Sequence, residues 1–165
     1  MLPFLMLPAV ILTLPAAPVP GAVQVHARIW VLRTAPGPET WAALKSAGIT
    51  HVINLRRDGE PGFDPEQENT ELMSREITYV RLAMGRTPAA SDLDLFRTVL
   101  AGLPSNARIL VHCGNGNRAA AAMCSALVLD YKMEEGKALA LAREAGLSAP
   151  ETEKALLAYL ARLRG

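Results

Sequence analysis

A cysteine at 113 and an arginine at 118 bracket the tetrapeptide Gly-Asn-Gly-Asn, and the whole stretch ILVHCGNGNRAAAAM lies between an apolar run and an alanine-rich one. An ionised thiol is a nucleophile. A guanidinium is a permanently charged planar fork that matches two oxygens of a tetrahedral oxyanion. Gly114 and Gly116 allow a tight turn in which successive backbone N–H groups point at one anion. Residues 109–111 read as a short, fully buried strand, and 117–131 as a helix with Ala, Met and Leu on most faces. The N-terminus of that helix adds roughly half a positive charge beside the turn, which favours a thiolate at Cys113 and an anion next to Arg118. His112, Cys113, Gly114, Asn115, Gly116, Asn117 and Arg118 are therefore the candidate site residues. The chemistry they suit is nucleophilic attack within an anion-binding loop.

The remaining composition narrows the alternatives. A chain of 165 residues makes one domain and leaves no room for a second catalytic one. Seventeen Lys and Arg against sixteen Asp and Glu leave a net charge of +1, which gives no support for a nucleic-acid or membrane-surface partner. The three histidines, His26, His51 and His112, show no metal-ligand spacing, so no metal and no other cofactor is expected. Two cysteines make no disulfide framework. Cys124, well along the helix from Cys113, reads as a core residue. Residues 1–27 carry no Asp, Glu, Lys or Arg, and the charged sequence begins at Arg28. The apolar stretch with its small-residue tail reads as an export leader removed from a domain spanning 28–165, implying a periplasmic or secreted protein, although it lacks a basic start; a disordered leader or a mis-assigned start is the alternative and would leave the protein cytoplasmic. Pro3, Pro8 and Pro15 argue against a membrane-spanning helix, and no membrane insertion is expected once the leader is gone.

Strand and helix periods alternate along the chain. Strands are expected at 28–34, 49–56, 77–84 and 109–112. Helices are expected at 38–48, 64–76, 91–103 with Ser91 and Asp94 at capping-box spacing, 117–131, 134–146, and from Ser148 with Glu151 spaced likewise. The pattern implies a three-layer α/β fold, a largely parallel sheet with helices on both faces. In such sheets ligands sit beyond the carboxyl ends of the strands, where Cys113 falls.

VHCGNGNRA, ITHVINLRRDGE, ITYVRLAM and EEGKALALAREAGL together resemble the cysteine-dependent protein tyrosine and dual-specificity phosphatases, most of all their bacterial beta-lactamase hydrolase-like branch. The similarity runs over nearly the whole chain after residue 27. It implies a phosphatase-type α/β fold, a cysteinyl-phosphate intermediate, no metal, and a phosphorylated protein or small phosphomonoester as substrate. Carried over by position, Cys113 is the nucleophile, Arg118 the phosphate clamp, Gly114 through Asn117 the amide cradle, and His112 tunes the thiolate. Strand alternation places the His112 side chain opposite Cys113, so any such tuning is indirect.

Three departures qualify that resemblance. Four residues rather than five separate Cys113 from Arg118, Ala119 stands where a hydroxyl residue is usual, and Met84–Gly85 stand where relatives carry an aspartate general acid. Asp58, Asp92 and Asp94 are the available substitutes, although Asp92 and Asp94 also suit a helix start. Without an acid, aryl phosphates should react in preference to alkyl ones. Two other classes fit the short loop: a rhodanese-type sulfurtransferase holding a persulfide, and a non-catalytic phosphate- or sulfate-binding module. Trp30 and Trp41 read as packing anchors, and Arg56–Arg57 as a solvated strand end, with attraction of an anionic substrate as the alternative.

Overall fold

The structure, a computed structural model, describes residues 18–164. β1 (Ala22–His26) and β2 (Ile29–Leu32) form an antiparallel hairpin. β3 (His51–Asn54), β4 (Thr78–Arg81) and β5 (Ile109–His112) run parallel to β2, in the sheet order β1-β2-β5-β3-β4. β5 is thus the central strand, fully buried along its length. The helices are α1 (Pro38–Leu44), α2 (Pro65–Met73), α3 (Ala90–Gly102), α4 (Asn117–Leu129), α5 (Glu135–Glu144) and α6 (Pro150–Arg164).

Alternation along the strands divides the apolar residues between two layers. Ile29, Val31, Ile53, Ile109 and Val111 pack on one side, against Phe96 of α3, the alanines of α4, and α5 and α6. Leu32, Val52 and Leu110 pack on the other, against Leu44 of α1 and Leu72 of α2. The α/β architecture with helices on both faces of a mostly parallel sheet is therefore the one the periodicity implies. The ladders of β3 and β4 are shorter than the apolar runs 49–56 and 77–84, but pairing continues past their ends. Leu55 N–H donates to the His112 carbonyl at 2.9 Å, Leu82 N–H to Asn54 at 2.9 Å, and Met84 N–H to Leu55 at 3.1 Å.

One local expectation is corrected. The start of α3 is set by Asp92, whose carboxylate accepts the Ala89 N–H at 2.9 Å, rather than by Ser91 with Asp94. Within the expected leader, drawn through residue 27, this structure has β1 at Ala22–His26, with Val19 and Val25 buried at 3% and 4% exposure. An uncharged Ala-Val-Gln-Val-His segment has the period of a half-buried edge strand, but its composition merges with the apolar residues before it. The remainder of that leader, residues 1–17, lies outside the described residues.

Removing residues 1–27 should strip β1 and expose the edge of β2, whereas removing only 1–17 leaves the sheet intact. Burial of two valines contributes roughly 3–6 kcal/mol at about 1.5–3 kcal/mol each. A chain beginning at Arg28 should unfold at a markedly lower urea midpoint than one beginning at Pro18; equal midpoints would place β1 outside the cooperative unit.

Candidate active site

β5 carries the chain to the middle of the sheet's carboxyl edge, and the turn that follows is forced into shape by one glycine. Gly116, the residue capping α4, has φ +83°, a left-handed conformation natural to glycine. A Cβ there would lie 3.0 Å from the Arg33 carbonyl oxygen and 3.1 Å from that of Ala145, so the loop is pressed between two backbones. Among the described residues, the amides of Gly114, Asn115 and Gly116 make no backbone hydrogen bond. They and the N-terminus of α4 are the donors left for an anion.

Asn117 has a structural task besides. Its Oδ1 accepts the N–H groups of Ser148 and Ala149 at 2.7 Å each, which ties the first turn of α4 to the start of α6. That helix is therefore capped from across the fold, not by the expected pairing of Ser148 with Glu151.

The Arg118 side chain is 5% exposed. Its Nη1 donates to the carbonyls of Leu55 at 3.1 Å and Met84 at 3.0 Å, beyond the ends of β3 and β4. Both terminal nitrogens engage Glu60, Nη1 to Oε1 at 2.6 Å and Nη2 to Oε2 at 2.8 Å. Glu60 Oε1 also accepts the Arg57 N–H at 2.9 Å. The hydrogen bond from Arg118 outweighs desolvation and holds the Glu60 carboxyl down to about 2. Burial works against the charge on Arg118, but Glu60 and the neighbouring Cys113 sulfur more than offset it and raise its pKa. Cys113 itself is fully buried beside that guanidinium.

The two faces of β5 separate His112 from the sulfur. His112 Nε2 lies 2.8 Å from Glu68 Oε1, and Asn54 Nδ2 donates both to that same oxygen at 3.0 Å and to the Tyr79 hydroxyl at 2.9 Å. The edge of Trp41 completes the surroundings, with ring centroids 6.1 Å apart. Cys113, the loop amides and Arg118 thus come together, while His112 belongs to a buried polar network on the α1–α2 side.

A cavity of about 740 Å³ opens over the loop, lined among others by Arg56, Glu60, Arg86, Arg118, Glu151 and Thr152. None of the three aspartates considered as acids lines it. Asp58 pairs with Arg81 at 2.5 Å, Asp92 caps α3, and Asp94 accepts from the Tyr159 hydroxyl. The carboxylates that do line it, Glu60 and Glu151, are ones the sequence did not mark as site residues; Glu151 reads only as a helix-start residue, and Glu60 stands in RDGEPGFDP, which reads only as a turn. Arg56 is likewise no solvated strand end. It is 5% exposed, donates to the Pro61 carbonyl at 2.7 Å, and lies over the Phe63 ring at 4.7 Å. Cys124 is buried within α4, and desolvation pushes its thiol up to about 12. Among the described residues no group of three or more His, Cys, Asp or Glu could hold a metal ion, and no helix is long and apolar enough to cross a membrane.

A mostly parallel sheet whose central strand delivers a cysteine into a glycine turn closed by an arginine is the fold of the protein tyrosine and dual-specificity phosphatases, and this chain has it. A DUF442 protein from Shewanella putrefaciens CN-32 superposes with a TM-score of 0.69 at 21% identity, covering 86% of this chain and 92% of that one. The catalytic domain of the PP-IP phosphatase SIW14 from S. cerevisiae gives 0.70 at 15% identity, covering 90% and 93%. PTPMT1, solved in complex with PI(5)P, gives 0.68 at 13% identity, covering 87% and 97%. In sequence, the chain is 28% identical over 115 residues to beta-lactamase hydrolase-like proteins of two Xylella fastidiosa strains, which covers 67% of it and 26% of them. The chain thus spans about a quarter of the length of the curated relatives it matches. No protein-family model matches it.

Two predictions follow from this geometry. Asn117→Ala leaves two N–H groups unanswered and should cost about 1–3 kcal/mol. Asn117→Asp keeps the acceptor and should stay near wild-type stability; urea denaturation of the two variants checks the pair. Glu60, whose carboxyl ordinarily titrates near 4.5, is depressed to about 2 on folding. It therefore stabilises the native state above pH 4.5, and that contribution is lost as the pH falls towards 2. Urea midpoints across this window should drop more steeply in the wild type than in Glu60→Gln.

Proposed function

We propose that this chain is a cysteine-dependent phosphomonoesterase in which Cys113 is the nucleophile and Arg118 holds the oxyanion. The observation that supports it best is the buried Arg118 guanidinium set beside the Cys113 sulfur at a turn with three unengaged amides. In this reading the phosphoryl oxygens take hydrogen bonds from Arg118 and from the amides of residues 114–118. The thiolate attacks phosphorus, the P–S bond forms, and the ester P–O bond breaks to release an alkoxide or phenolate, which takes its proton from water. Water then attacks phosphorus, the P–S bond breaks, and phosphate leaves with the thiolate restored. Backbone amides and a fixed guanidinium suit this chemistry because they are aligned before charge develops.

His112 acts as a positioning residue, holding the strand end through Glu68. Leaving-group preference follows from the carboxylates. Glu60 is ionised at neutral pH and has no proton to give, and Asp58, Asp92 and Asp94 are engaged elsewhere. Phenolates leave with less protonation than alkoxides, so phosphotyrosine-like aryl monoesters are the preferred class. Inositol-based phosphates, the chemistry named for two of the structural neighbours, form the second panel to test.

Export is part of the same reading. We place the leader within residues 1–17, because a cut after Ala22 would remove the first residue of β1. N-terminal sequencing of periplasmic protein should therefore find a start before Val19; a protein retained in the cytosol with Met1 intact would overturn it.

An aryl phosphate such as p-nitrophenyl phosphate should be hydrolysed, and Cys113→Ser should abolish turnover. Arg118→Lys should lower kcat/KM by about 10²-fold or more, the scale of losing oriented oxyanion donors. Phosphotyrosine peptides should react at least tenfold faster than phosphoserine ones, by the order of magnitude of a missing proton donor. Sulfur transfer from thiosulfate to cyanide without phosphate release would instead make the protein a sulfurtransferase, and phosphate binding with neither reaction would make it a binding module.

A further inference from the structure

The charged side chains around the cavity over residues 113–118 fall into two groups. Arg56, Glu60 and Arg118 answer one another through ion pairs, Glu60 lying 3.5 Å from Arg56 Nε and 2.6 Å from Arg118 Nη1. Arg86 and Glu151 line the same cavity but are exposed, and neither side chain makes a hydrogen bond or an ion pair with any other described residue, including each other. The first group forms the floor under an incoming phosphoryl group. The second stands at the rim, where it meets the part of a substrate that lies beyond the phosphoryl group.

Both rim residues have free side-chain ends on anchored backbone. Arg86 follows Met84–Gly85; the Met84 carbonyl accepts from Arg118 at 3.0 Å, and the Arg86 carbonyl accepts the Thr152 hydroxyl at 3.1 Å. Thr152 is 2% exposed and adjoins Glu151 on the first turn of α6, which Asn117 ties to the anion loop through the Ser148 and Ala149 N–H groups. The two elements that carry the rim charges are therefore joined to each other and to the turn after Cys113. A helix start accounts for a carboxylate at Glu151, but Arg86 has no such structural task. Opposite charges at two fixed places make net charge a poor discriminator: an all-acidic leaving group gains at Arg86 and loses at Glu151, and an all-basic one does the reverse. A leaving group with unlike charges in the matching order gains at both.

We propose that Arg86 and Glu151 are specificity-determining residues that select a phosphotyrosine flanked by acidic residues on one side and basic residues on the other, in one chain order. This rests on the reading of residues 113–118 as the phosphoryl site and adds which leaving group that site accepts.

The test compares two phosphotyrosine peptides of identical composition, one with a run of Glu before the phosphotyrosine and a run of Lys after it, the other with the runs exchanged. The full chain is assayed for kcat/KM on each, and its Cys113→Ser variant for the dissociation constant of each, so that binding without turnover still reads the selection. One order should be favoured by about fivefold, the scale of two exposed charge pairs. The preference should fade in roughly 1 M salt, where the screening length is about 3 Å. Arg86→Gln with Glu151→Gln should bring the ratio near one, and Arg86→Glu with Glu151→Arg should invert it, whereas a merely structural role would shift both peptides alike and leave the ratio where it was. Equal treatment of the two peptides by the wild type, or a ratio that the charge exchange does not move, would overturn the proposal and leave the phosphoryl site standing. Neither hydrolysis by the full chain nor binding by Cys113→Ser of either peptide would overturn the phosphoryl site itself.

Discussion

A buried guanidinium is the demand around which this carboxyl edge of the sheet is organised. Desolvating Arg118 is costly unless each donor is answered and the charge is balanced. The answers come from separate parts of the chain: the Leu55 carbonyl past β3, the Met84 carbonyl past β4, and Glu60 from the connection to α2. One side chain on the first turn of α4 thereby fixes the positions of two strand ends and a surface loop. The same anchoring aims the guanidinium at the turn holding Cys113, so folding and site assembly are one event.

Strand parity then keeps two kinds of chemistry apart. Adjacent residues on β5 and its extension send the Cys113 sulfur towards the apolar layer under α4, and the His112 ring towards α2. On the α2 side the buried Glu68 carboxylate joins His112 to Asn54 through its Oε1. Asn54 passes the constraint on, since its Oδ1 accepts the Arg56 N–H at 2.7 Å. The polar network on one face therefore positions the arginine that faces the carboxylate on the other. Replacing its members with apolar residues would keep the burial but lose this register between β5, α2 and the loop.

What the sequence revealed and what it hid divide along the range of the interactions. The Cys113–Arg118 junction was legible because its chemistry is local: strand, turn and helix are consecutive, and the residue types are rare in that combination. Phase and order of the helices and strands followed from apolar periods. β1 was hidden because its five residues carry no charge to set them off from the apolar sequence before them. Glu60 was hidden for a different reason. A glutamate between glycine and proline looks like surface turn chemistry, and its meaning comes from a partner 58 positions later in the chain. Asp92 shows an intermediate case: its place at a helix start was readable, but its carboxylate reaches back to Ala89, whose side chain offers no capping signal.

The short loop bears on how charge would be shared with an anion. A turn with four residues between cysteine and arginine presents fewer amides than one with five, so a larger part of any oxyanion's charge must be met by the guanidinium and the α4 terminus. Gly116 prevents compensation by rearrangement, because its backbone is wedged against Arg33 and Ala145. The cradle is thus small, and the Nη1–Nη2 edge of its guanidinium is held by Glu60. In the proposed phosphatase reading an anion would meet the remaining Nε–H and Nη2–H edge, so its affinity would depend on how firmly Glu60 fixes that orientation.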